Sequence, residues 1–322
     1  MLSICKNNFI IFRNLLQKFN HYNNLVKQKF FSTTNFLSYE IIEPKYPISS
    51  ITRNFPRDIL LPDYAINGQP NKHNNSNYVK NPNDIEKIWN SCKIAKTILM
   101  KTGEQLKIGM TCEDIDDIVY NLCLLHKCYP SPLNYSGFPK CVTTSVNNIA
   151  VHGIPDQRQL QSGDIISIDV SIYYNGFHGD CCHTFAIGDC DQQAKHLMNV
   201  AELCLYEAIK ICRSGQRISA IGKTIENIVR KYEMNVVKEF CGHGVGKDLH
   251  ENPQILHYDN NSEEIMIENM IFTIEPIILE TSANVVMFDD GWTVASENDC
   301  RSAQFEHTIW IRKHDSVILT EI

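Results

Sequence analysis

No aspartate or glutamate precedes Glu40 in this 322-residue chain, although Lys6, Arg13, Lys18, Lys27 and Lys29 do. The sequence also lacks any CxxC pair, and its 13 cysteines are an odd number. A closed disulfide framework and a zinc-finger or redox motif are therefore excluded, and cysteines within apolar runs, such as Cys204 and Cys212, read as small core residues in a reducing compartment. Apolar runs are short: Phe9 to Phe12 and Phe30-Phe31 are far below the length of a signal h-region or a spanning helix. No HExxH occurs, because His250-Glu251 is followed by Asn252, Pro253 and Gln254. A phosphate loop ending at Gly246-Lys247 would need glycine at 241 and Ser or Thr at 248, where the chain has Cys241 and Asp248. The net charge of −7 argues against a nucleic-acid groove.

That charge is unevenly spread. Removing the five leader cations leaves 25 basic against 37 acidic residues. A basic, acid-free start with Phe9, Phe12, Leu15, Leu16 and Phe19 at amphipathic spacing reads as an organelle transit peptide over residues 1–39, with a processing region near Phe31-Ser32-Thr33. A mitochondrial destination in the matrix is expected; composition does not separate it from a chloroplast. Residues 40–83 form an Asn- and Pro-rich extension with prolines at 44, 47, 56, 62, 70 and 82 and the polar run Asn71 to Asn77. Little regular structure is expected there.

Residues 84–322 read as one domain with an internal echo. Helices are expected over Asp84 to Lys101 and Asp114 to Leu125, then over Gln192 to Cys212 and Ser219 to Tyr232. In each half a glycine, Gly109 or Gly215, is followed six residues later by an isoleucine, Ile115 or Ile221. Strands follow each pair: Ile165 to Ser171 and His178 to Ala186, then Ile271 to Ile278 and Ala303 to Ile311. Two helix pairs, each followed by strands, imply an α+β fold with helices covering one face of a mostly antiparallel sheet.

The acids fall on strands. Alternation puts Ser167, Asp169 and Ser171 on one face, opposite Ile166, Ile168 and Val170. Asn175-Gly176 signals a two-residue type I′ turn, which pairs Tyr174 with Phe177 and so sets Asp169 opposite Cys182 and Ser171 opposite Asp180. Asp169 and Asp180 then become diagonal neighbours about 7 to 8 Å apart at the backbone. Taken alone, that hairpin fits a solvated polar face with two unrelated acids as well as it fits a cation site. Glu275 lies in the apolar run Met270 to Pro276, where an unpaired carboxylate is expensive to bury and Pro276 ends the pairing. Glu306 alternates with Gln304 and Thr308, and His243 stands among glycines in Cys241 to Gly246. Two Asp, two Glu and one His suit a dinuclear site for Mn, Fe, Co or Zn. His21, His73, His126, His196, His257 and His314 read as ordinary polar residues.

With these stand Tyr135-Ser136-Gly137-Phe138-Pro139-Lys140, Val151-His152-Gly153-Ile154-Pro155-Asp156, Gly176-Phe177-His178-Gly179-Asp180, Thr273-Ile274-Glu275-Pro276 and Ser302 to Thr308. On these strings the chain from about Asp84 onward resembles the type I methionine aminopeptidases of metallopeptidase family M24. The resemblance implies the pita-bread fold, a curved sheet with two pseudo-symmetric halves and helices on its outer face. It implies Asp169, Asp180, His243, Glu275 and Glu306 as ligands of two divalent ions, with Asp180 and Glu306 bridging. It further implies His152 at the scissile amide, His250 on the carbonyl oxygen, and Glu275 as proton shuttle in hydrolysis of the first peptide bond.

The expected substrates are N-termini of newly made polypeptides, and the expected state is a monomer with neither nucleic-acid binding nor membrane insertion. Tyr135, Phe138, Thr143, Leu249 and Trp292 would line the side-chain pocket. Family members commonly carry Cys at the place of Thr143 and Phe at that of Leu249, so altered efficiency on methionine is expected. Only 32 residues separate His243 from Glu275, too few for the type II insertion, and only Cys5 precedes Cys92, so the zinc module of the cytosolic form is absent. The organellar form fits best. Alternatives are another pita-bread aminopeptidase of broader specificity and a catalytically silent protein-binding module.

Overall fold

The computed structural model describes residues 38–43, 48–49, 52–70 and 79–321. The amphipathic leader pattern, its processing region and the Asn71 to Asn77 run lie outside the described residues. Four helices follow the expected order: α1 (Pro82–Gly103), α2 (Cys112–Leu125), α3 (Gln192–Lys210) and α4 (Ser219–Lys231). The starts of the first three are encoded locally. Asn81 caps α1 by accepting from the Asp84 amide ahead of Pro82 in the first turn, and Thr111 with Asp114 forms a reciprocal capping box on α2.

Nine strands make the main sheet: β1 (Tyr129–Pro130), β2 (Thr143–Val146), β3 (Ile165–Tyr174), β4 (Phe177–Ala186), β5 (Cys241–Gly244), β6 (Glu251–Leu256), β7 (Ile271–Ile274), β8 (Glu306–Ile311) and β9 (Ser316–Ile318). Their order is β1-β3-β4-β8-β7-β5-β6, with β2 also on β3 and β9 also on β8. Every ladder is antiparallel. The Asn175-Gly176 turn has positive φ at both residues, and the β3–β4 register is the one it dictates: Asp169 opposite Cys182, Ser171 opposite Asp180.

The helix pairs cover the sheet half by half. The apolar face of α1 and α2 packs on Ile166, Ile168, Val170 and Ile172, and that of α3 and α4 on Phe272, Ile274 and Ile309. The echo is physical as well. Gly109 and Gly215 both have positive φ, and each lies two residues before an isolated bridge, Thr111 to Gln159 and Arg217 to Ile265. The isoleucines six residues on, Ile115 and Ile221, are both fully buried. Every described cysteine is free and buried, as the core reading requires.

Two expected strands are each broken. Ile271 to Ile278 stops at Ile274 and resumes as Ile277–Leu279 in a separate three-stranded sheet, paired with Ser302–Gln304. The second break falls at Phe305, between Ser302–Gln304 and β8. Alternation therefore does not run from Gln304 through Glu306 as one strand would require. Pro276 removes a ladder donor at the switch between sheets, so pairing changes partner there and does not simply end.

Residues 52–70 carry only one short helical turn, Asp63–Ala65, in line with their composition. They are nonetheless docked: Ile59 and Tyr64 are buried together with Tyr129. Nearer the leader, the Tyr39 ring lies 4.5 Å beneath the Arg301 guanidinium, its hydroxyl donates to the Asp299 carbonyl at 3.0 Å, and Ser38 bonds Asp191. Among the described residues no helix is long and apolar enough to cross a membrane.

Candidate metal centre and active site

Five neighbouring strands bring the five candidate ligands to one place. Asp169 comes from β3, Asp180 from β4, Glu306 from the start of β8, Glu275 from the residue after β7, and His243 from β5. Cys182 sits in register between Asp169 on one side and Glu306 on the other, which aligns those acids across three strands. Asp180, His243 and Glu306 bring ligand atoms within 4.8 Å of one another. His243 Nε2 lies 3.7 Å from Asp180 Oδ2 and 3.4 Å from Glu275 Oε1.

Glycine permits this convergence. A Cβ on Gly242 would stand 2.3 Å from the Thr273 carbonyl, and one on Gly244 would stand 2.1 Å from that of Asn252. Only glycine lets the strands on either side close on His243. The imidazole is oriented from behind: Nδ1–H donates to the Gly244 carbonyl at 3.1 Å, so Nε2 faces the carboxylates as a bare lone pair. Thr273 holds two members at once, accepting the His243 amide at 2.9 Å and donating to Glu275 Oε1 at 2.8 Å. Ser171 donates to Asp180 Oδ1 at 2.8 Å.

The acids are under electrostatic strain. Burial first, then the charges of Asp180 and Glu275, pushes Asp169 well above the usual carboxylate range. Burial and Asp180 do the same to Glu275, and burial, Asp180 and Glu275 to Glu306. Burial raises Asp180 as well, partly offset by His243 and the Ser171 hydrogen bond. Asp169 Oδ1 is buried with no hydrogen-bond partner. An orphaned carboxylate oxygen beside three like-charged neighbours and a bare imidazole nitrogen fits divalent cations, which would satisfy the first and cancel the repulsion.

All twelve residues singled out from sequence line one cavity. Above the acids stand His152 and His250, and the walls are Tyr135, Phe138, Thr143, Leu249 and Trp292. His152 adopts a left-handed φ of 56° between the Phe240 and Trp292 rings, and its Nδ1 is buried without a partner. Burial lowers its pKa to about 4, so the ring is neutral. His250 is likewise held neutral, by burial and then by His243. Pro132, Ser171 and Phe240 complete the lining and were not singled out from sequence. Phe240 directly precedes the Cys241-Gly242-His243 string and Ser171 shares the Asp169 face opposite Asp180, which were the available signals.

One histidine departs from its sequence reading. His257 is 1% exposed, and its Nε2 accepts the Glu275 backbone amide at 3.2 Å. Burial lowers its pKa to about 3. It is an inner support of Glu275, which a single His on β6-side chain after an apolar strand did not reveal.

The pattern of metallopeptidase family M24 matches residues 86–313. The chain belongs to metallopeptidase family M24. Its M24 relatives include the mitochondrial methionine aminopeptidase 1D of Homo sapiens, 45% identical over 89% of this chain and 85% of that protein. Another is the chloroplastic/mitochondrial methionine aminopeptidase 1D of Arabidopsis thaliana, 42% identical over 87% and 78% of the two chains. Among solved structures, the methionine aminopeptidase of Rickettsia prowazekii superposes with a TM-score of 0.74 at 34% identity, covering 76% of this chain and 99% of that one. As a member of M24, this chain is a pita-bread metallopeptidase with a group of carboxylates and histidine able to hold a metal.

Proposed function

We propose that this chain is a methionine aminopeptidase that removes the initiator methionine from newly made organellar proteins, with Asp169, Asp180, His243, Glu275 and Glu306 holding two divalent ions. The convergence of four carboxylates, Asp180 and Glu306 buried and Asp169 and Glu275 partly buried, and a bare His243 nitrogen in one cavity with Phe138, Leu249 and Trp292 carries this reading. When bound, the ions supply Lewis acidity and bring the ionisation of water toward neutral pH.

The chain's own groups do the rest. Phe138 and Trp292, ring centroids 5.1 Å apart, wall the pocket with Tyr135, Thr143 and Leu249, and they exclude water from the methionine side chain. Neutral His152 and His250 each have a ring N–H to offer, His152 at the scissile amide and His250 at the carbonyl oxygen as charge develops there. Glu275, oriented by the Thr273 hydroxyl, would take the proton that the attacking water gives up and pass it to the leaving amine.

The test is removal of metal from the full chain, reloading with Co, Mn, Fe or Zn, and assay on a panel of X-Ala-Ser peptides. Activity on Met-Ala-Ser with at least one ion is expected. Silence with every ion would favour the binding-module reading, and equal turnover of Leu and Met peptides would favour a broader aminopeptidase. The clients are free N-termini, the chain acts as a monomer without nucleic acid or membrane insertion, and its destination is the mitochondrial matrix. Several relatives are named mitochondrial, which supports the last point. The packing of Ser38 and Tyr39 on the domain supports a processing site ahead of Ser38, which we place near Phe31-Ser32-Thr33. Organelle import followed by N-terminal sequencing checks the cut.

A further inference from the structure

His250 stands in the loop between β5 and β6, one residue before β6 begins. Its Nδ1 lies 2.8 Å from the Tyr135 hydroxyl. A neutral ring that offers Nε2–H to a substrate carbonyl has a bare Nδ1, so Tyr135 donates this bond and thereby selects that tautomer. Tyr135 itself rides on a strained turn: Asn134 and Ser136, on either side of it, have left-handed φ values of 58° and 50°. Such residues persist only when their surroundings hold them.

What holds this turn comes from residues 52–70. Tyr64 is 2% exposed, meets Tyr135 edge to face with centroids 4.9 Å apart, and donates its hydroxyl to the Ser131 carbonyl at 2.7 Å. The Asn134 side-chain Nδ2 donates to the Ala65 carbonyl at 3.1 Å. The segment is anchored in turn, since Arg53 reaches Asp116 and Asp117 at 2.6 Å each and Phe55 packs on Tyr120 and Tyr129. A second clamp acts from the other side. Lys80, just ahead of α1, pairs with Glu251, the neighbour of His250, and these two side chains are 10% and 3% exposed. The Lys80 amide donates to the Asn269 carbonyl at 2.9 Å, which ties that clamp to the sheet.

We infer that residues 52–70 together with Lys80 are a built-in positioning arm, in which Tyr64 acts through Tyr135, and Lys80 through Glu251, to set the orientation and tautomer of His250. Tyr64 and Lys80 touch no reacting atom and are positioning residues. The inference rests on the proposed role of His250, and it assigns work to a segment outside the matched M24 residues.

A double-mutant cycle in the full-length, metal-loaded protein tests it. Tyr64→Ala should lower kcat about tenfold, with KM within about twofold, because misplacing a positioned group is felt in turnover. Tyr64→Phe, which keeps the ring, should retain most activity. In a His250→Ala background Tyr64→Ala should have little further effect, since residues acting as one unit are not additive. Lys80→Met should lower kcat and Lys80→Arg should restore it, which covers the case of a Tyr64→Ala variant that does not fold. Independently of activity, nitrogen NMR of the metal-free protein should show the His250 Nε2–H tautomer in wild type, its loss in Tyr135→Phe, and a mixture of tautomers in Tyr64→Ala and Lys80→Met. Full additivity in the cycle, or an unchanged tautomer in both Tyr64→Ala and Lys80→Met, overturns the arm. A wild type inactive with every ion refutes the proposed activity instead, and the NMR readout still decides the arm.

Discussion

Asp180→Asn should make the metal-free protein more stable while abolishing its response to metal. Asp180 is the neighbour whose charge raises Asp169, Glu275 and Glu306 alike. Ligand atoms of Asp180 and Glu306 lie within 4.8 Å, and two unit charges at that separation repel by ~3 kcal/mol at an effective dielectric constant near 20. Protonation of one acid already relieves part of this, so the expected gain is about 1–3 kcal/mol, or roughly 3–10 °C in Tm for a domain of this size. Asn is isosteric and its carbonyl oxygen still accepts from Ser171, so no packing is lost.

The sign with pH follows from the same shifts. Acids with folded pKa values above their unfolded ones bind more protons when folded, so metal-free stability falls as pH rises from about 4 through those raised values. The variant should flatten that decline. The assay is thermal unfolding after chelation, at several pH values, with and without added Mn or Co. Wild type gains about 3 kcal/mol when metal reaches a hundred times Kd, and the variant gains almost nothing. A metal-free variant that melts below wild type, yet rises as much with metal, would refute the account of the cluster.

Gly244→Ala should destabilise the chain by ~2 kcal/mol or more and weaken metal binding, because the new Cβ meets the Asn252 carbonyl and displaces His243; an unaltered metal Kd by titration calorimetry would count against this. His257→Leu leaves the Glu275 amide without an acceptor, which should cost about 1–3 kcal/mol in denaturant unfolding, while His257→Gln should recover part of it. Burial alone would raise Asp191, but hydrogen bonds from Arg301 and Ser38 hold it well below the ordinary value. That contribution is present above about pH 4 and is lost as pH falls through the folded value, so Arg301→Met should flatten stability below pH 4. A variant with the acid limb of wild type would contradict that assignment.

Much of the site could be read from local rules. The Asn175-Gly176 turn sets the β3–β4 register within one hairpin, so Asp169, Ser171 and Asp180 could be placed by counting residues. Helices α1 to α3 follow from caps and periodicity, and α4, which has no side-chain cap, from periodicity; both act within a few residues. The gathering of Glu275, Glu306 and His243 with them was reached through the resemblance, since strand order β3-β4-β8-β7-β5 joins segments far apart in sequence and no local rule gives that order.

What the sequence determined by itself was element type, the hairpin register, the residue types of a metal site and the split between a basic, acid-free first stretch and an acidic remainder. These depend on spacing and composition, which a chain carries without folding. Tertiary structure alone decided the sheet switch at Pro276, the service of His257 beneath Glu275, and the docking of residues 52–70 beside Tyr135. Each depends on which distant backbone passes nearby. A buried histidine and a tyrosine in a proline-rich segment look ordinary until the partners that need them are brought within hydrogen-bond or ring-contact distance.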